Sequence, residues 1–294
     1  MRHKEFDKSR VVKYLVWTFA LAYLIQFGVG LLYQRGNMMI GQLVMAGMMF
    51  VPMLGVLLSG GKLSGMGWRL QIKKNIKAIL IGWFVPAVLT AIGAALYFII
   101  FPGHFDLSGS SMGPDALEQL QVQGISYPMY VLISLVSSLT YAPLLNTFVS
   151  LGEEIGWRGF LYPQLRAKLG REKGWLLGGI IWGAWHWPLI GLIGYEYGTE
   201  YFGFPVVGML VFCVFTIAMG ILCDWLYEQS GSIWVPSICH GAINAAGTLP
   251  LAICLPNTGS ARLLGPMPNG LIAGLPILIT AVLLGRKEPS TENS

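Results

Sequence analysis

Two adjacent carboxylates, Glu153 and Glu154, with Arg158 one helical turn on, follow a run apolar enough to enter a bilayer, YVLISLVSSLTYAPLLNTFVS. Two more pairs lie downstream: Trp182 with His186 in GGIIWGAWHWPLIG, and His240 with Asn244 in IWVPSICHGAINAAG. Glu154 and Arg158 are four residues apart, as are the members of each later pair, so on helices each pair shares a face. A carboxylate sheltered from bulk water can take up and return a proton near neutral pH, and an imidazole beside it can help hold and deprotonate a water. A second imidazole and an amide are donors suited to a developing oxyanion. The combination points to hydrolysis of an amide bond inside a membrane.

Each residue also has a structural use. Glu154 and Arg158 read as an ion pair, the arginine neutralising a carboxylate that lipid cannot solvate. Trp157, Trp182, Trp185 and Trp187 read as packing residues or interface anchors, and His240 with Asn244 as interhelical hydrogen-bonding groups. These uses leave Glu153 unexplained, because one guanidinium cancels only one of two acids.

The elements that hold such groups must be membrane helices. Of 294 residues 54% are hydrophobic and 11% charged, against about a quarter charged in soluble domains, and the mean hydropathy is +0.62. Spanning the hydrocarbon core takes about 20 apolar residues. Runs of that kind cover approximately residues 12–33, 38–58, 76–101, 127–152, 174–194, 203–226, 232–250 and 266–285, the last two short enough to be re-entrant. The expectation is one all-α membrane domain over residues 1–294, an eight-helix bundle with its catalytic core in 127–250. The acidic loop HFDLSGSSMGPDALEQLQVQGIS reads as a solvated connector.

Cytoplasmic loops are enriched in Lys and Arg. Arg2, Lys4, Lys8, Arg10 and Lys13 precede the first run, and Lys62, Arg69, Lys73, Lys74 and Lys77 follow the second. Arg158, Arg166, Lys168, Arg171 and Lys173 follow the fourth, and Arg286 and Lys287 the last, while Arg35 and Arg262 fall on the other side. This alternation predicts both termini in the cytoplasm, and the short loops point to a prokaryotic cell membrane. The net charge of +5 is a topology signal and does not predict a nucleic-acid partner. Cys213, Cys223, Cys239 and Cys254 have no metal-binding spacing and read as packing residues.

Depths must also agree. His186 lies about 18 Å into its helix and Glu153 about 20 Å below the basic edge at Arg166, with His240 shallower at about 12 Å, brought into reach by a bend at Pro236. On that reading the groups line one cavity open to the cytoplasm.

E-E-x-x-x-R at Glu153, Glu154 and Arg158, aromatic-x-x-x-His at Trp182 and His186, and H-x-x-x-N at His240 and Asn244 resemble, in that order, the motifs of a known family. It is the CAAX protease and bacteriocin-processing (CPBP, or Abi) family of intramembrane glutamic endopeptidases, which includes the type II CAAX prenyl endopeptidases. The resemblance runs from Glu153 to Asn244, with one departure, Trp182 where the family usually has Phe. It implies that Glu153 activates water with help from His186, that His240 and Asn244 hold the oxyanion, and that Glu154 and Arg158 support the site. It implies no cofactor, and as substrate a membrane-associated peptide or protein, such as a prenylated CAAX C-terminus or a bacteriocin or leader-like peptide.

Two other readings stay open. One glutamate with two histidines matches a His2Glu zinc site, although no H-E-x-x-H is present. Paired membrane acids also serve proton coupling, so a transporter, or an immunity or scaffold protein without activity, is a different class to be tested.

Overall fold

The coordinates are a computed structural model that describes residues 6–286. Arg2, His3, Lys4 and the tail from Lys287, and with them the expected placement of both termini, lie outside the described residues. In chain order the helices are α1 (Lys8–Gln34), α2 (Met38–Met48), α3 (Val51–Leu58), α4 (Ile72–Ile100), α5 (Pro114–Val122), α6 (Tyr127–Leu139) and α7 (Tyr141–Gly156). They continue as α8 (Tyr162–Leu169), α9 (Arg171–Trp185), α10 (Trp187–Ile193), α11 (Val206–Ser230), α12 (Trp234–Ala246) and α13 (Leu275–Gly285). Among the described residues the only extended pairing is an isolated bridge between Phe105 and Cys254. The chain is thus a polytopic all-α membrane bundle, with much of its outer surface apolar, as at Leu24, Leu43, Ile99, Leu145 and Leu210.

The eight apolar runs are all helical in part, but they are not eight straight spans. Four helical stretches are long and apolar enough to cross a membrane: Lys8–Gln34, Ile72–Ile100, Arg171–Ile193 and Val206–Ser230. Two bent pairs, α2 with α3 at 41° and α5 with α6 at 90°, raise the number to six if each is one span. The last two runs shorten to the 13 residues of α12 and the 11 of α13. Hydropathy averages over a window and does not register where Pro and Gly interrupt the backbone ladder.

Contacts sort the helix ends into two groups. At one end Asp7 N–H donates to Gln164 Oε1 at 2.8 Å, Arg166 pairs with Glu228 at 3.0 Å, and Tyr227 donates to Met66 O at 3.2 Å. At the other end Tyr197 donates to Asn269 O at 2.8 Å, Asn257 to Glu200 at 2.7 Å, and Leu255 N–H to His104 O at 2.9 Å. Every described Lys and Arg other than Arg35, Arg158 and Arg262 belongs to the first, basic end. Asp106, Asp115, Glu118, Glu196 and Glu200 belong to the second.

The main core joins α1, α7, α9, α11 and α12 and is rich in large rings, with Tyr14, Trp157, Tyr162 and Trp185 fully buried. Glycine sets the closest approach in it. A Cβ on Gly241 would stand 2.6 Å from Thr147 N and 2.9 Å from Pro143 O, so α12 lies on α7 at a distance that no larger residue permits.

Candidate active site

Glu153 and Glu154 sit in the last turn of α7, where the helix widens into a π-helical turn, Trp157–Leu161, before α8. Such insertions are frequent at functional sites. Side chains on a helix lean toward its N-terminus, so both carboxylates reach away from the basic end, which α8 approaches. Both are buried, and so is Arg158.

The two acids have different partners. Glu154 Oε1 accepts from Arg158 Nη1 at 2.8 Å and from His240 Nδ1 at 2.8 Å. The guanidinium also lies 4.8 Å from the Tyr162 ring centroid and 4.4 Å from that of Trp182, within cation–π range. Glu153 Oε2 instead accepts from the indole N–H groups of Trp157 at 3.0 Å and Trp182 at 2.8 Å. Two neutral donors fix the carboxylate without cancelling its charge. Both indoles therefore do more than the packing or anchoring expected of them, and at Trp182 the departure from Phe supplies a donor that a phenyl ring lacks.

His186 stands at the break between α9 and α10, as the C-cap of one and the N-cap of the other. Pro188 causes the break, since its ring clashes with the carbonyl four residues back and it has no N–H to donate. In lipid the freed backbone groups need partners, and α1 provides them. Tyr23 donates to Ala184 O at 2.9 Å, Gln26 Nε2 to Trp185 O at 2.7 Å, and Leu189 N–H donates to Gln26 Oε1 at 3.1 Å. The fully buried Gln26 is a supporting residue that sequence reasoning missed; a glutamine in the middle of an apolar helix was the available signal. His186 Nδ1 lies 3.0 Å from Trp182 O, a group that can only accept, so Nδ1 carries the proton and Nε2 of the neutral ring is an acceptor. The ring is flanked by Trp185, Tyr195 and Phe212.

His240 owes its depth to the position of α12 and not to a bend. Pro236 lies in the first turn, where a missing N–H costs little. Val235 lies against Gly82, about 15 Å along α4 from its start at Ile72, so the whole of α12 begins inside the bundle. Asn244, one turn beyond His240, is exposed to the cavity.

Glu153, Trp182, His186, His240 and Asn244 all line one cavity of about 580 Å³. Glu154 and Arg158 lie behind that wall and are not among its lining residues. Further polar residues that sequence reasoning did not assign to a site also line it: Gln42, Asn146, Thr216, Glu196 and Asn269. Glu196 has a left-handed backbone, φ 70°, and accepts from Asn269 Nδ2 at 2.6 Å. Burial raises its carboxyl above the ordinary value of 4.5, with the neighbouring Tyr195, Asn269 and Arg262 opposing the shift. Among the described residues no three His, Cys, Asp or Glu side chains are grouped to hold a metal ion.

Residues 135–246 match the family model described as type II CAAX prenyl endopeptidase Rce1-like. A stretch of 93 residues is 34% identical to a protein named CAAX prenyl protease 2 from Methanococcus maripaludis. That stretch covers 31% of this chain and 34% of the relative, so the match spans about a third of the curated protein's length. All seven residues picked out by type and spacing fall within the matched segment, and over residues 135–246 the chain is similar to the Rce1-like type II CAAX prenyl endopeptidases.

Proposed function

We propose that the protein is an intramembrane endopeptidase that cleaves a membrane-associated peptide or protein with a glutamate-activated water. The observation that carries this reading is the state of Glu153. It is a carboxylate held by two indole N–H groups, with no cation bonded to it among the described residues, on a cavity wall shared with His186, His240 and Asn244.

In the reaction Glu153 takes a proton from water as the water oxygen adds to the carbonyl carbon of the scissile bond, with the acceptor Nε2 of His186 orienting that water. The carbonyl π electrons move to oxygen, and the oxyanion receives hydrogen bonds from His240 Nε2–H and the Asn244 amide. Donation by both His240 nitrogens requires the imidazolium, and the Glu154 carboxylate at Nδ1 supplies its counter-charge. Collapse of the intermediate breaks the C–N bond, and the proton held by Glu153 passes to the leaving amine. Arg158 holds Glu154 in place through their 2.8 Å contact. No cofactor is needed on this route; a His2Glu zinc site would need three ligands to converge, and the described residues do not group that way.

Membrane peptides compared by mass spectrometry in cells carrying the wild type and Glu153→Ala test the proposal. Product peptides present only with the wild type are expected, and cleavage retained in Glu153→Ala would falsify the base assignment. Stoichiometric zinc in the purified protein, with cleavage lost on its removal, would replace the metal-free mechanism by the metal one.

A further inference from the structure

A polypeptide drawn into a membrane-embedded cavity leaves its hydration behind, so each backbone N–H it carries needs an acceptor from the protein. The cavity wall holds few that are fixed in place. The Asn146 amide and the Thr216 hydroxyl are engaged within the fold, with Ala142 O and Gly179 O, each at 2.9 Å. Gln42 and Thr248 are neutral, exposed side chains, and the Trp185 indole can only donate. Two carboxyl groups remain on the wall, Glu153 and Glu196. Glu153 is committed to water in the proposed reaction, and Glu196 has no part in it.

Glu196 is nevertheless held with care. Among the described residues other than glycine, only Gln71 shares its positive φ, and backbone of this kind persists where the surroundings impose it, often at ligand-binding sites. Here the surroundings are the loops around 194–205 and 247–270. Asn269, 6% exposed, donates Nδ2 to Glu196 Oε2 at 2.6 Å, Arg262 Nε donates to Glu196 O at 3.4 Å, and Tyr197 donates to Asn269 O at 2.8 Å. A carboxylate has about four lone-pair sites, so acceptor capacity is left over on a group already fixed before anything binds. Burial disfavours its charged form, and one more donor would offset that. The preceding residue connects it to the chemistry: the Tyr195 ring stacks on that of His186, centroids 6.0 Å apart and planes within 8°. We infer that Glu196 is a substrate-binding residue, whose carboxylate accepts from a backbone N–H of the bound polypeptide and anchors the chain beside Glu153 and His186. This rests on the endopeptidase reading for the word substrate, while the contact itself is a binding property. A main-chain contact places no demand on the side chains of the peptide.

Glu196→Gln isolates the contact. Its amide oxygen still accepts from Asn269, so the loops stay tied, while its NH2 puts a donor where an acceptor stood. The probe is a farnesylated peptide ending in a CAAX sequence, with analogues each N-methylated at one backbone nitrogen. Binding is measured in detergent in the Glu153→Ala background, which holds the peptide uncleaved. Adding Glu196→Gln is expected to weaken binding about tenfold, the worth of one hydrogen bond to a charged group, with the melting temperature unchanged. One N-methyl analogue is expected to lose about tenfold in affinity for Glu153→Ala and nothing further for the double variant. With Glu153 intact, Glu196→Gln should raise KM about tenfold at nearly constant kcat. Equal affinity in the two backgrounds, or no N-methyl position that distinguishes them, would overturn the inference. So would a lowered melting temperature with a parallel loss of kcat and unchanged KM, the signature of a tie between loops and nothing more. Binding that depends on Glu196 without cleavage by the wild type counts against the endopeptidase reading and leaves the contact standing. Cleavage with a KM indifferent to Glu196→Gln does the reverse.

Discussion

The indole N–H of Trp182 donates to Glu153 Oε2 at 2.8 Å, while the same ring lies over the Arg158 guanidinium and meets the His240 ring edge-on at 5.2 Å. One side chain from α9 thus touches a member of each other motif. Trp182→Phe keeps the ring and removes the donor. Turnover is expected to fall about tenfold, which corresponds to one hydrogen bond to a charged group, with KM nearly unchanged because the lost bond positions the base and does not hold the peptide. Steady-state kinetics on a cleaved peptide would check it, and an unchanged kcat would show that Trp157 alone suffices.

The Asn244 amide carries no titrating proton, so it separates catalysis from proton-coupled transport. Asn244→Ala is expected to lower kcat by about 10²-fold or more, the usual effect of removing an oxyanion donor, while the protein inserts and melts as the wild type does. Cleavage at the wild-type rate would remove Asn244 from the mechanism.

Among the described residues, Arg158 and His240 are the two side chains bonded to Glu154. Arg158→Met leaves a buried carboxylate short of its partner, and a destabilisation of about 3–5 kcal/mol is expected. Adding Glu154→Gln should recover much of the thermal stability without restoring activity, since His240 then lacks its counter-charge. Thermal melts of the single and double variants in detergent read the difference, and a double variant no more stable than Arg158→Met would refute the pairing.

Gly241 follows His240 and is where α12 touches the α7 backbone. Gly241→Ala is expected to push the helices apart by several tenths of an ångström, to destabilise by about 1–3 kcal/mol, and to weaken the His240–Glu154 bond. Melting temperature and kcat should fall together; a variant that melts and turns over as the wild type does would show that α12 can shift freely.

Glu196 has its carboxyl raised above 4.5 by burial. The folded state therefore holds this proton more tightly than the unfolded chain, and stability is expected to fall as pH rises from about 4.5 through the raised value. Glu196→Gln should remove that part of the pH dependence, measured as melting temperature against pH. An identical slope in the variant would show that the carboxyl is fully hydrated.

Helical membrane character followed from the sequence because lipid imposes it: long apolar runs must satisfy their backbone internally, and the charges left over collect at one face. That Glu153, His186, His240 and Asn244 share one cavity wall was legible too, since polar groups four apart on apolar helices have few inexpensive places to go. Which acid pairs with Arg158 was legible from the i, i+4 spacing between Glu154 and Arg158. The partners of Glu153 were not, because the contact between Trp182 and Glu153 joins residues 29 apart through the packing of α9 on α7. Nor was the use of Gln26, which answers a backbone gap opened by a proline on another helix. Which rings close around the site was decided by tertiary structure alone: charge along the chain orders the helix ends, but only packing determines that Tyr14, Trp157 and Tyr162 are fully buried.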